Sequence, residues 1–459
     1  MHIEQIYTAC LAQAAYYIES KGEAIIIDPI REVEPYLEMA AGRGTVIKYV
    51  FETHFHADFV SGHIDLAAKT GAQIIFGPKA DTKYNVHCAE NKEEFKVGDI
   101  TIMALHTPGH TPESTSYLLL DKDGKEHAVF TGDTLFVGDV GRPDLLDGKM
   151  SKEELAGMMY ESLKVLKKLP DDVIVYPAHG PGSSCGKNLG SETWSTIGEQ
   201  KQTNYALQEM SKIDFINAVT DGLSAPPPYF FNDAMINKSG YENIDIVLSK
   251  NMNPLSLSQF NDALNNNSLV LDTRHPNDFE KGFIPGSINI GLDGMFAIWV
   301  GSLIKIEIPL LIIADIGREE EAISRLARVG FENVVGYLEG GTHTWEIEHN
   351  QLDTVSSITP EEFEPISNSD HSTLDVRKPG EFDESHVSGA IHIPLIDLEK
   401  EMGKLNTKEK YYIYCRSGYR SMIASSILKA NGIKDVVNIY DGITGIQQTK
   451  VKLSATELA

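Results

Sequence analysis

The chain has 459 residues, room for roughly two to four domains, and its 42% hydrophobic and 23% charged residues describe a globular protein. A formal net charge of -26 argues against nucleic acid or an anionic membrane as partner, and no apolar run approaches the length of a membrane span. The cysteines (Cys10, Cys88, Cys185 and Cys415) are too scattered for a disulfide framework, and the start Met1-His2-Ile3-Glu4-Gln5 lacks a basic region and a hydrophobic signal core; a reduced, cytoplasmic protein is expected.

The first informative run is Thr53-His54-Phe55-His56-Ala57-Asp58-Phe59, directly after the apolar strand Tyr49-Val50-Phe51. Two closely spaced histidines and an aspartate at a strand's C-terminal edge can converge on a metal. The pattern is H-x-H-x-D-H with its last ligand replaced by Phe59, and a phenyl ring binds no ion. One metal is therefore expected, and a lone open metal points to chemistry other than hydrolysis. Further donors follow in chain order. His110 lies in Thr107-Pro108-Gly109-His110-Thr111, after the apolar segment 100–105. Asp133 lies in Phe130-Thr131-Gly132-Asp133-Thr134, and His179 in Tyr176-Pro177-Ala178-His179-Gly180 after Val173-Ile174-Val175. Each alone is a weak signal; strand ends that deliver His or Asp in this order are specific together.

Residues 1–247, taken as the first domain, resemble the metallo-β-lactamase fold, an αββα sandwich with ligands on loops along one edge. Within that superfamily they resemble the persulfide dioxygenases. The run Thr131-Gly132-Asp133-Thr134-Leu135-Phe136 followed by Gly141-Arg142-Pro143-Asp144 is typical of that group and of its glyoxalase II relatives. The resemblance implies one Fe(II) held by two histidines and an aspartate, which match His54, His110 and Asp133. His56, Asp58 and His179 would then be supporting or vestigial. Two imidazoles and a carboxylate on one face of an octahedral ion leave adjacent positions for O2 and a sulfur anion. Zinc hydrolysis instead uses a metal-activated water, commonly between two metals in this fold.

Beyond His179 the loop Gly180-Pro181-Gly182-Ser183-Ser184-Cys185-Gly186-Lys187 is a plausible rim for the site. Cys185 is a candidate to contact a persulfide, accept its sulfur or form a regulatory disulfide, with an inert loop residue as the plainer reading. Lys187 and Arg142 are candidates to steer an anionic thiol, or members of structural ion pairs; Cys10 and Cys88 read as structural. The Pro-rich run Ala225-Pro226-Pro227-Pro228-Tyr229-Phe230-Phe231 reads as an ordered tail of the metal domain, with looser connections expected at 248–254 and 353–357.

An internal repeat fills the rest of the chain. Leu271-Asp272-Thr273-Arg274 through Phe279 matches Leu374-Asp375-Val376-Arg377 through Phe382, and Gly286-Ser287-Ile288 matches Gly389-Ala390-Ile391. At about a hundred residues each, these are domains rather than solenoid units. Short β-branched strands alternate with amphipathic helices, which favours an α/β architecture with parallel sheets covered on both faces. The pattern resembles the rhodanese fold, in copies at 253–351 and 357–459, opened by helices at 258–260 and 360–363.

The copies differ where chemistry would sit. In the second, strand Tyr411-Tyr412-Ile413-Tyr414 runs into Cys415-Arg416-Ser417-Gly418-Tyr419-Arg420-Ser421, with a helix from Met422. A cysteine at a strand end, before a short loop and a helix, sits in a cup of backbone N–H groups that favours its thiolate. Ser417, Gly418, Tyr419 and Ser421 are the expected cradle, and Arg416 and Arg420 add charge for a thiosulfate or sulfite. In the first copy the equivalent position is Ala314 or Asp315, and Glu319-Glu320-Glu321 replaces the basic loop, so this copy carries no sulfur and serves spacing or assembly.

The whole chain resembles bacterial persulfide dioxygenase–rhodanese fusions of sulfide detoxification. That resemblance implies oxidation of a low-molecular-weight thiol persulfide by O2 to sulfite, with Cys415 interconverting sulfite and thiosulfate, in a homo-oligomer. The identity of the thiol stays open. The alternatives are a zinc-dependent thioester hydrolase of glyoxalase II type, or a sulfur-relay protein active only at Cys415.

Overall fold

Runs such as Tyr16-Tyr17-Ile18 and Ile25-Ile26-Ile27 carry apolar side chains on both faces, and the strands they form, Gln13–Ser20 and Glu23–Ile27, are buried on both sides. In the computed structural model, which describes residues 1–145, 149–223, 225–348, 351–367 and 372–456, they belong to the first of two six-stranded sheets. Its strands lie in chain order: His2–Thr8, Gln13–Ser20, Glu23–Ile27, Val46–Phe51, Gln73–Phe76 and His87–Cys88. The second sheet runs Ser195–Thr196, Ile174–Pro177, Glu126–Gly132, Thr115–Leu120, Ile100–His106 and Glu94–Val97.

The core between the sheets takes Tyr16, Phe51 and Ile75 from one and Phe95, Ile102, Tyr117 and Phe130 from the other. Helix His63–Thr70 packs on Val46–Phe51 and Gln73–Phe76. Helices Lys152–Leu166 and Lys212–Thr220 bury Met159, Leu163 and Phe215 against Leu118, Val129 and Val175 of the second sheet. Ser151 and Glu154 close a capping box at the start of Lys152–Leu166, satisfying backbone donors the helix itself cannot. The result is an αββα sandwich.

Strand direction positions the site. Glu126–Gly132 and Ile174–Pro177 are parallel, and Ile100–His106 points the same way because Thr115–Leu120 is antiparallel to both of its neighbours. Residues 110, 133 and 179 therefore emerge at one edge. His54 joins them from Val46–Phe51, where the Thr115 N–H donates to the Thr53 carbonyl at 2.9 Å and ties the two sheets together.

The chain divides into two compact units, Met1–Val247 with Leu326–Phe331, and Leu248–Arg325 with Glu332–Ala459. The Pro-rich run lies in the first, with Tyr229 and Phe230 buried and helix Phe230–Ser239 following at once. The looser connections are not found. Helix Ile244–Asn251 and strand Pro254–Leu255 occupy 248–254, where Asn251 is buried and donates to the Glu332 carbonyl. Strand Ser356–Ile358 and the bridge from Phe283 to Asp353 order the other. Polar composition suggested slack where asparagine side chains satisfy backbone groups.

The second unit contains two all-parallel five-stranded sheets of identical order. One runs Pro254–Leu255, Val334–Leu338, Leu310–Ile313, Leu269–Asp272 and Ile288–Asn289. The other runs Ser356–Ile358, Val436–Ile439, Tyr411–Tyr414, Ser372–Asp375 and Ile391–His392. The repeated D-x-R motif is a local clamp: Arg274 bonds Asp272 and the Gly282 carbonyl, and Arg377 bonds Asp375 and the Ser385 carbonyl.

Candidate metal centre and sulfur-transfer loop

His54, His110 and Asp133 are buried and place one donor atom each within 4.8 Å of the others. Asp133 Oδ2 lies 3.4 Å from His110 Nε2 and 3.9 Å from His54 Nε2. Metal bonds of about 2.1 Å put adjacent octahedral donors about 3 Å apart, so a small closure completes a facial set. The chemistry of the donors fits an ion. His110 Nε2 and both Asp133 oxygens are buried without a hydrogen-bond partner, a state costing about 1–3 kcal/mol per group unless an ion relieves it.

The ring orientations fit as well. His110 Nδ1 faces the Arg142 carbonyl at 2.8 Å and His179 Nδ1 the Ala12 carbonyl at 3.1 Å, so each donates there and leaves Nε2 free as a ligand. His54 Nδ1 meets Thr53 Oγ1 at 3.0 Å, and Thr53 in turn gives its hydroxyl and its N–H to Asp28 at 2.8 Å each. Burial and the neighbouring imidazoles hold the His54 ring well below its ordinary range, in the neutral form a metal requires. A Thr53→Val replacement breaks this relay at constant shape. A 10–100-fold loss of metal affinity is expected, measured by competition with a chelator.

Phe59 is fully buried and packs on His56, ring centroids 4.4 Å apart. His56 Nε2 lies 3.1 Å from Asp28 and 3.6 Å from Glu52, and the imidazole also groups with Asp58 and His179, one donor atom of each within 4.8 Å of the others. Burial opposes its charge, yet Asp28 and Glu52 outweigh that and push the imidazole up to about 9. His179 Nε2 is 3.4 Å from Asp58 and 3.6 Å from Asp133, so a second donor cluster abuts the first. Cys185 Sγ joins Asp133 and His179 within 4.8 Å. Burial, with Asp58 and Asp133 nearby, pushes its thiol well above the ordinary range.

The other two rim candidates have partners elsewhere. Arg142 clamps Asp144 through two hydrogen bonds and also donates to the Ser184 carbonyl. Lys187 Nζ donates to the carbonyls of Ala218 and Asp221. Both hold loops to their neighbours, and this geometry lends no support to a steering role. Cys88 is exposed, and Cys10 accepts from Arg328 at 3.4 Å.

Sequence reasoning missed Asn237. Its amide donates to the carbonyls of His56 and Phe59 at 2.8 Å and accepts from the Ser61 N–H at 2.9 Å, holding the ligand loop from helix Phe230–Ser239. Tyr241 adds a hydrogen bond to the Ser61 carbonyl. An Asn237→Ala replacement strands three buried backbone groups. A loss of about 2–4 kcal/mol is expected, read as a lowered melting temperature of the N-terminal unit.

In the second unit Cys415 is buried at the end of Tyr411–Tyr414, and the Gly418 N–H donates to its Sγ at 3.2 Å. Register settles the alignment of the copies. Asp375 pairs with Tyr414 as Asp272 pairs with Ile313, so Cys415 corresponds to Ala314. The helix begins at Tyr419, earlier than the expected Met422, because Gly418 takes the left-handed φ of 101° that turns the chain directly into it. The loop is thus shorter than expected, and two cradle candidates are engaged elsewhere. Ser421 bonds the Gly418 carbonyl and Asn438, and Tyr419 bonds the Gly291 carbonyl. Ser417 and Arg416 are exposed. Arg420 is held by Glu381 at 2.6 and 2.8 Å; burial would raise the Glu381 carboxyl, but Arg420 overcomes that and keeps it below its ordinary range.

A family model described as the metallo-beta-lactamase superfamily matches residues 8–179, and one described as a rhodanese-like domain matches 256–348 and 359–449. The crystal structure of a metallo-beta-lactamase from Staphylococcus aureus subsp. aureus COL is 35% identical, with a TM-score of 0.65, covering 73% of this chain and 98% of that one. ETHE1 from Myxococcus xanthus is 31% identical, with a TM-score of 0.45, over 52% of this chain and 99% of that one. A hydroxyacylglutathione hydrolase from Prochlorococcus marinus is 32% identical over 166 residues, 35% of this chain. The chain spans 62% of that hydrolase's length. This chain belongs to the metallo-β-lactamase superfamily. Two rhodanese-like domains follow its N-terminal sandwich, and the fold class expected from the sequence holds.

Proposed function

We propose that the N-terminal unit is a non-haem Fe(II) dioxygenase for the persulfide of a low-molecular-weight thiol, and that Cys415 is a sulfurtransferase acting on its product. One observation carries the reading: His54, His110 and Asp133 bring donor atoms together in one buried space, those of His110 and Asp133 without a hydrogen-bond partner, while Phe59 stands where a second ion would use an imidazole. Iron(II) held by these residues would bind O2 together with a sulfur anion and carry the electrons for their reaction. The Arg142 carbonyl and the Asp28–Thr53 relay fix the imidazoles, and Asp133 provides the negative charge that retains the ion. One persulfide, one O2 and one water give one thiol, one sulfite and two protons, so the outer sulfur is oxidised and O2 reduced.

At the second centre, the Cys415 thiolate attacks the outer sulfur of another persulfide, breaking its S–S bond and releasing the thiol. Sulfite then attacks that sulfur, forming thiosulfate and freeing Cys415. Each step leaves a negative sulfur beside the Gly418 N–H, which stabilises it.

A second reading has its own support. The cluster of His56, Asp58 and His179 beside the first favours two ions, and the likeness to a hydroxyacylglutathione hydrolase favours zinc-dependent thioester cleavage. Metal analysis of anaerobically prepared protein separates the two, paired with oxygen-electrode traces on glutathione and coenzyme A persulfides and a thioester assay on S-acylglutathione. One iron with O2 uptake is expected. Paired zinc with thioester cleavage and no O2 uptake overturns the dioxygenase.

A further inference from the structure

The loop after Cys415 is held from outside its own domain. Tyr419, first residue of helix Tyr419–Ala430, gives its hydroxyl to the Gly291 carbonyl of the cysteine-free copy at 2.7 Å. Its ring lies so near Gly294 that a Cβ there would fall 2.5 Å from it. Seven residues along the helix, two turns on the same face, Ser426 Oγ accepts the Asn289 N–H at 3.0 Å. Asn289 lies on Ile288–Asn289, the edge strand of the first copy's sheet, where this N–H has no strand neighbour. The Asn289 amide reaches back to the carbonyls of Asp272 and Arg274 at 3.0 Å, joining this edge to the first copy's D-x-R clamp.

The same helix start serves Cys415, since Gly418, immediately before Tyr419, supplies the N–H bonded to Sγ. Displacing Tyr419 moves that donor with it. The first copy's counterpart of Tyr419 is Arg318, which pairs with Asp293 and Glu321 inside its own copy.

We infer that Tyr419 is a positioning residue for sulfur transfer at Cys415, and that the turn from Gly291 to Gly294 in the cysteine-free copy is its seat. A domain without a cysteine is thereby part of the transfer site. The inference rests on the sulfurtransferase reading of Cys415.

Gly294 has no left-handed backbone, and the three atoms nearest a Cβ there all belong to Tyr419. In the full chain, Gly294→Val is expected to lower kcat for Cys415-dependent sulfur transfer from persulfide to sulfite by about tenfold or more, with little change in KM. The pH profile of Cys415 alkylation should shift with it, while O2 uptake and the melting of the N-terminal unit stay as in the parent. In a Tyr419→Ala background, adding Gly294→Val should cost nothing further, and Tyr419→Phe should fall between parent and Tyr419→Ala. Full turnover by Gly294→Val, or an equal loss in both backgrounds, overturns the positioning role alone. Absence of any transfer lost on Cys415→Ser in the parent chain overturns the sulfurtransferase reading and this inference with it.

Discussion

Asp133→Asn is expected to abolish O2 uptake on a persulfide, by at least about a hundredfold, and to release the metal without lowering the melting temperature of the iron-free protein. The two halves of this result have one cause. Both Asp133 oxygens are buried and make no hydrogen bond, so folding gains nothing from them and only an ion does. The charge is a burden in the ion's absence. Burial already raises the Asp58 carboxyl and the Cys185 thiol, and in each case the charge of Asp133 raises it further. An amide of the same size removes that repulsion. Asp28→Asn should behave oppositely and destabilise the fold, because Asp28 accepts both the N–H and the hydroxyl of Thr53. Iron content, oxygen-electrode rates and thermal melting of the two variants side by side are the measurement. An Asp133→Asn protein that keeps its iron and its O2 uptake would remove the aspartate from the centre.

Local chemistry made the candidate donors legible. His54, His110, Asp133 and His179 each follow an apolar strand, and a strand end is a short-range signal that survives without a structure. The fold class was legible for the same reason, through strand periodicity and the repeated D-x-R clamp. What holds these side chains in place was not. Asn237 lies 178 residues from Phe59 in sequence and has no motif around it. Sequence separation likewise hides Tyr419, 128 residues from its partner Gly291 in the other copy. Lys187 and Arg142 are cations near a glycine-rich loop, and composition alone does not show the loop carbonyls and the neighbouring aspartate that they bond. Helix Ile244–Asn251 was overlooked because polar residues read as slack when their partners are remote carbonyls.

Cys415→Ser should leave O2 uptake intact and convert the product from thiosulfate to sulfite. The argument is one of division of labour. The metal donors lie in the first compact unit and Cys415 in the second, so substituting one leaves the other's geometry alone. Serine preserves the loop, since its hydroxyl can still accept the Gly418 N–H, but it cannot hold a sulfane sulfur. Sulfite from the first reaction then has no enzyme-bound sulfur to attack and accumulates with O2 consumption. Parent protein given excess persulfide should instead release thiosulfate as the main product, a change of at least about tenfold in the product ratio. Chromatographic separation of the two anions during steady turnover is the direct measurement. Thiosulfate formed by Cys415→Ser at the parent rate would mean that the second sulfur arrives without passing through this cysteine, and the coupled reading would fall while the dioxygenase stood.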